Sequence, residues 1–194
     1  MNREFLNEAI NLFDTPEKWS SFIELSNKKE EIRNFYLRNT EAALNRRFRE
    51  LDVVESWDVS FSNNQYKWFL KEFGINSICV YFNPVDAIFR LLGDNNVFDL
   101  NRTNSELKTE YFSPILSFIE RIDGVNDGWE LITEKGNFNF DSPYDGNFTG
   151  DKLAWYAGNR TEEFVKQIAE KVNRIRRNPE LSQLLRELNE KCKR

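Results

Sequence analysis

Trp57-Asp58-Val59-Ser60-Phe61-Ser62-Asn63-Asn64-Gln65-Tyr66-Lys67-Trp68-Phe69-Leu70 is the stretch on which the fold of this chain turns. Trp57, Val59 and Phe61 alternate with Asp58, Ser60 and Ser62, so an extended segment here has one apolar and one polar face. Asn63-Asn64-Gln65 supplies turn-forming residues, and Tyr66, Trp68 and Leu70 resume the alternation against Lys67 and Lys71. That is the pattern of a β-hairpin. Gly74 interrupts it, Ser77 to Phe82 reads as a third strand apolar on both faces, Asn83-Pro84 ends that strand, and Ala87 to Leu92 reads as a fourth. Residues 53–92 therefore predict an antiparallel meander with Trp57, Phe61 and Trp68 stacked in its core.

On either side the apolar period lengthens to that of a helix. Upstream, residues 1–52 read as helical. Leu6, Ala9, Ile10 and Phe13 form one stripe; Thr15-Pro16-Glu17 offers a cap, a first-turn proline and an acid; and Trp19, Phe22 and Ile23 continue at helical spacing. A long helix follows from about Lys28 to Leu51, aligned on Leu37, Leu44 and Phe48, with a break expected near Asn39-Thr40. Downstream, residues 93–102 read as loop. Residues 103–123 read as a helix kinked or restarted at Ser113-Pro114 and stopped by Gly124. Residues 128–157 predict a second hairpin (Trp129–Thr133 with Phe138–Phe140), a polar loop over 141–151 and the short apolar segment Leu153–Ala157. Residues 161–193 form a helical end: Val165, Ile168, Val172 and Ile175 share a stripe, and Asn178-Pro179 restarts the chain ahead of Leu181, Leu184, Leu185 and Leu188. The prediction is one α+β domain over 1–194, a small antiparallel sheet flanked by N-terminal and C-terminal helices.

Composition narrows the chemistry. The 194 residues contain no histidine but 17 Phe, 6 Tyr and 5 Trp. Without imidazole there is no Ser-His or Cys-His nucleophile, and two distant cysteines cannot build a zinc site. The eight glycines are scattered singly, so neither standard phosphate-loop spacing occurs. No metal and no cofactor is expected. Cys79 lies in the apolar run Ile78–Phe82 and reads as a small buried hydrophobe, whereas Cys192 sits in a charged tail expected to be solvated. Apolar runs are too short to cross a bilayer, and the opening Met1–Glu8 places acids where a signal peptide needs apolar residues. A cytoplasmic protein that does not enter membranes is expected. Net charge is -5, carried mostly by an acidic middle, while residues 161–194 are basic.

Three groups of residues are candidates for a site. Trp155 and Tyr156, amphipathic aromatics beside the 141–151 loop, fit a protein-binding patch; the plainer reading makes them a plug on the end of the core. Arg46, Arg47 and Arg49, with Arg174, Arg176 and Arg177, place several guanidiniums on about one helical turn each and suit phosphate binding; the plainer reading pairs them with nearby Glu41, Glu50 and Glu170. Asp52, Glu55 and Asp58 with Lys67 are the residues a Mg2+-dependent nuclease or phosphodiesterase would use, although strand parity sends Glu55 and Asp58 to opposite faces. The leading expectation is a non-catalytic cytoplasmic binding or accessory protein whose partner is another protein. A carboxylate-dependent nuclease and a nucleic-acid-binding module using the arginines are the alternatives.

Overall fold

In the computed structural model the described residues are 8, 10–62, 65–85, 87–118, 122–124, 130–134, 140–141 and 150–194. Helices α1 (Pro16–Asn27) and α2 (Lys29–Arg46) come first, and a single π-helical turn, Arg47–Leu51, extends α2. Strands β1 (Trp57–Ser62), β2 (Gln65–Leu70), β3 (Cys79–Asn83) and β4 (Ile88–Leu92) follow. Then come α3 (Leu100–Leu107), a 3-10 turn (Ser113–Phe118), β5 (Ile122–Gly124) and β6 (Glu130–Glu134). Helices α4 (Gly150–Asn159), α5 (Thr161–Arg176) and α6 (Pro179–Cys192) complete the order. The architecture is the predicted α+β one, with helices at both ends of the chain flanking an antiparallel sheet.

The meander forms as the alternation requires. Trp57 pairs with Leu70, Val59 with Trp68 and Phe61 with Tyr66, so one set of alternate side chains lies on the buried face. Phe61 and Trp68 meet edge-on at 5.2 Å, and Phe48 from the π-helical turn reaches Trp68 at 5.3 Å. β3 is buried along most of its length, in keeping with its unbroken apolar run. Helices α5 and α6 lay their stripes into the same core: Phe164, Ile168, Val172 and Ile175 from one, Leu185 and Leu188 from the other. Asn189 fixes this packing through its amide. It accepts from the Ile78 N–H (2.9 Å) and donates to the Ile78 carbonyl (3.1 Å) and to the Leu185 carbonyl (2.9 Å), so a buried side chain satisfies backbone groups at the start of β3. Trp57 ties β1 to α6 by donating to Ser182 Oγ (3.2 Å).

Among the described residues the sheet has six strands in the order β1-β2-β3-β4-β6-β5, all antiparallel as expected. Several other expectations need correction. The segment predicted as helix over 103–123 holds α3, the 3-10 turn and β5. α3 starts at Leu100 because Asp99 caps it, accepting from the Arg102 N–H at 3.0 Å. Pro114 permits only a short 3-10 turn beyond it. β5 then pairs with β6, with Ile122 opposite Glu134 and Gly124 opposite Ile132. The predicted partner of 129–133 was Phe138–Phe140; residues 138–139 lie outside the described residues, and Phe140 is a core ring stacked on Phe164 at 5.0 Å. β6 pairs with the edge of β4. Within 128–157 the apolar segment Leu153–Ala157 is part of α4, not an irregular connection. The break expected at Asn39-Thr40 is absent, because Thr40 Oγ1 donates to the Tyr36 carbonyl (3.0 Å) and so stays helical. Cys192 is buried, not solvated: the Asp99 N–H bonds to its carbonyl (2.9 Å) and holds the end of α6 against α3. Cys79 is buried as expected, and desolvation pushes its thiol up to about 12.

Candidate functional site

Helix α1 is locally well specified. Thr15 caps it, accepting from the Lys18 N–H at 3.3 Å, Pro16 opens the first turn, and Glu17 complements the helix dipole. Yet no residue of α1 is buried, and every residue from Pro16 to Ile32 is exposed. Trp19 is 52% exposed, Phe22 39%, Ile23 41% and Leu25 60%. The aromatics stack on one another: Phe13 lies 4.4 Å from Phe22 and 6.1 Å from Trp19, and Trp19 lies 5.7 Å from Phe22. They make a ridge with one side in water.

Beside the ridge, α1, α2 and α4 enclose a groove of about 350 Å³ lined by Phe22, Leu25, Ile32, Tyr36, Ala154 and Trp155. A Lys29–Asp151 ion pair (2.6 Å) stands at its rim. The hydrogen bond from Lys29 holds the Asp151 carboxyl below its usual range and raises the Lys29 ammonium in turn. Volume and lining fall in the range of sites that accept an apolar group. A contiguous exposed apolar surface with a charged rim is uncommon on a protein that works alone.

Trp155 is 41% exposed on this face. Tyr156 is not. One residue further along α4 it points about 100° away, into the core, where its ring meets Phe140 at 5.5 Å and its hydroxyl accepts from Gln167 Nε2 at 2.9 Å. Residues 142–149 of the loop proposed beside them lie outside the described residues. Helix α4 sits close on α2 at Gly158, where a β-carbon would overlap the Tyr36 ring. Gly158→Ala is expected to cost about 1–3 kcal/mol through overpacking and to displace Tyr36 from the groove wall. A lowered urea midpoint together with changed Tyr36 side-chain resonances is the readout.

The two arginine clusters, distant in sequence, meet at one buried carboxylate. The π-helical turn ends on Asp52, which is 2% exposed and whose N–H donates to the Arg47 carbonyl at 2.7 Å. Arg177 and Asn173 donate to its carboxylate, Arg47 Nε stands 3.7 Å away, and Arg176 donates to its backbone carbonyl at 3.2 Å. Arg176 also lies over the Phe48 ring at 4.7 Å, and desolvation lowers its guanidinium to about 10. Of the remaining arginines, Arg46 pairs with Glu162 (2.8 Å) and Arg49 donates to the Val59 carbonyl (2.8 Å). Arg174 is exposed at the α5–α6 turn, beside Asn178 and Glu180. Arg46 and Arg177 thus meet carboxylates from other parts of the chain, Glu162 and Asp52, and Glu170 faces Lys166 at 3.8 Å.

Comparison with protein-family models, curated proteins and solved structures found no match. The arrangement of side chains thus carries the functional reading by itself.

The carboxylates proposed for metal chemistry are dispersed. Asp52 is committed to the guanidiniums, Glu55 is exposed in the turn before β1, and Asp58 on β1 accepts from the Val59 N–H (2.7 Å) with Arg49 at 3.8 Å. Lys67 lies on β2, registered between Ser60 and Tyr81. Among the described residues no three His, Cys, Asp or Glu side chains are grouped to hold a metal ion. Sequence reading missed Trp19, Phe22, Ile23 and Leu25 as site residues. Their helical spacing was visible, but nothing in the sequence says that, among the described residues, no other element covers them.

Proposed function

We propose that this chain is a non-catalytic binding protein of the cytoplasm whose partner is another protein, docked on the apolar face formed by α1, α2 and α4. One observation carries the reading: a capped aromatic helix, Pro16–Asn27, contributes no residue to the core. Large aromatic side chains gain little by standing in water and much by desolvation at an interface, where they dominate binding energy. Trp155 extends the same face from α4. Among the described residues no helix is long and apolar enough to cross a membrane.

A photo-crosslinking residue placed at Ile23 tests the reading in the native host, with a matched probe at Lys166 on exposed α5 as control. A discrete protein adduct is expected from the first and not from the second; no adduct at Ile23 overturns the proposal. Because neither side chain belongs to the core, Trp19→Lys with Phe22→Lys is expected to change unfolding free energy by no more than about 0.5 kcal/mol while abolishing the adduct. A large loss of stability in that double variant would return α1 to a structural role.

A further inference from the structure

We infer that the partner seated on this face is a second copy of the same chain, related to the first by a two-fold axis; this rests on the protein-docking reading above and names its occupant. Charge is the first support. Residues 14–38 hold five acidic and five basic side chains, a net charge of zero in a chain of net charge -5. Both signs are interleaved along the face, as in the pairs Lys18–Asp14, Lys28–Glu31 and Lys29–Asp151. A strongly charged foreign partner selects a rim of one sign. A two-fold contact needs both signs on one surface, since each residue meets its counterpart's neighbour and the reverse holds simultaneously.

Shape is the second support. The ridge of Phe13, Trp19 and Phe22 and the groove walled by Phe22, Ile32 and Trp155 adjoin on one surface. A two-fold rotation therefore seats the ridge of each copy in the groove of the other, filling both at once. Extent is the third. Phe22, Leu25, Ile32 and Trp155 are exposed side by side around the groove, with Trp19 and Ile23 also exposed on α1, an apolar centre of the kind an interface surrounds with a polar rim. α1 is also only 12 residues long, a length at which a helix is marginal without packing on more than one side. Two α1–α2 pairs brought together form a four-helix arrangement that packs it on both.

The test is the mass of the purified full chain by light scattering over a dilution series. Twice 23.1 kDa is expected at high concentration, falling toward 23.1 kDa on dilution. Trp19→Lys with Phe22→Lys is expected to weaken association at least about tenfold with unchanged circular dichroism. Leu25→Lys, on the groove wall, repeats the test if the double variant does not fold. A dimer that survives both substitutions lies on some other surface and overturns the inference. A wild-type chain of 23.1 kDa at every concentration overturns it as well. In that event the Ile23 crosslinking probe separates the two claims: an adduct with a foreign protein leaves the docking face standing without the second copy, and no adduct removes both.

Discussion

Phe82→Ala is expected to lower the free energy of unfolding by about 4 kcal/mol, read as a urea midpoint shifted at unchanged m-value. Phe82 is fully buried at the centre of β3, registered against Tyr66 on one side and Phe89 on the other. Its ring lies 4.6 Å from Phe89, 6.2 Å from Phe164 on α5 and 6.4 Å from Phe140. These neighbours belong to different elements, so they cannot close together over the space left by the lost ring without moving the sheet relative to α5. A cavity that cannot collapse sets the cost at the upper part of the observed range. Phe82→Leu keeps most of the volume and is expected to cost less than half as much. Equal losses from the two substitutions would show that ring geometry, not filled volume, holds this layer together.

Asp52→Ala is expected to cost about 3 kcal/mol, a large effect for one side chain with no part in the apolar core. Its removal leaves Arg47, Arg176 and Arg177 crowded without their common counter-charge, and strands the Asn173 amide. Arg177 and Arg47 reach water along part of their length, which keeps the loss below that of a wholly enclosed ion group. The pairing is tested by a double-mutant cycle with Arg177→Met. Coupling of about 1 kcal/mol or more is expected between positions 52 and 177, and additivity would show that the carboxylate acts through its hydrogen bond to Asn173 alone.

How much of this was legible in the sequence differs from element to element. The meander was, because Trp57, Val59 and Phe61 contrast with Asp58, Ser60 and Ser62 in the very residues that the register later separates by face. The restart of the last helix was too: Asn178 Oδ1 accepts from the Glu180 and Leu181 N–H groups, a local bond that its position before Pro179 announces. β5 was not, since three residues are too few to show a period. At the site, Tyr156 was misplaced because an unread helix hides the 100° step that separates it from Trp155. Arg46 and Arg177 meet Glu162 and Asp52 only through tertiary packing, which no spacing along the chain announces. The uncovered stripe of α1 is the deepest case. A helix face reads the same in sequence whether it meets its own core or another molecule.

The π-helical turn at Arg47–Leu51 makes this short segment a vernier in the chain. By letting one extra residue fit into a turn, it sets the angular phase at which α2 hands over to Asp52, independently of how long α2 is. Wound at the ordinary α pitch, the same five residues would carry the carboxylate about 100° further around the helix axis, away from Arg47 and Arg177. The wider winding of this turn therefore governs whether the two distant arginine-bearing segments lock together.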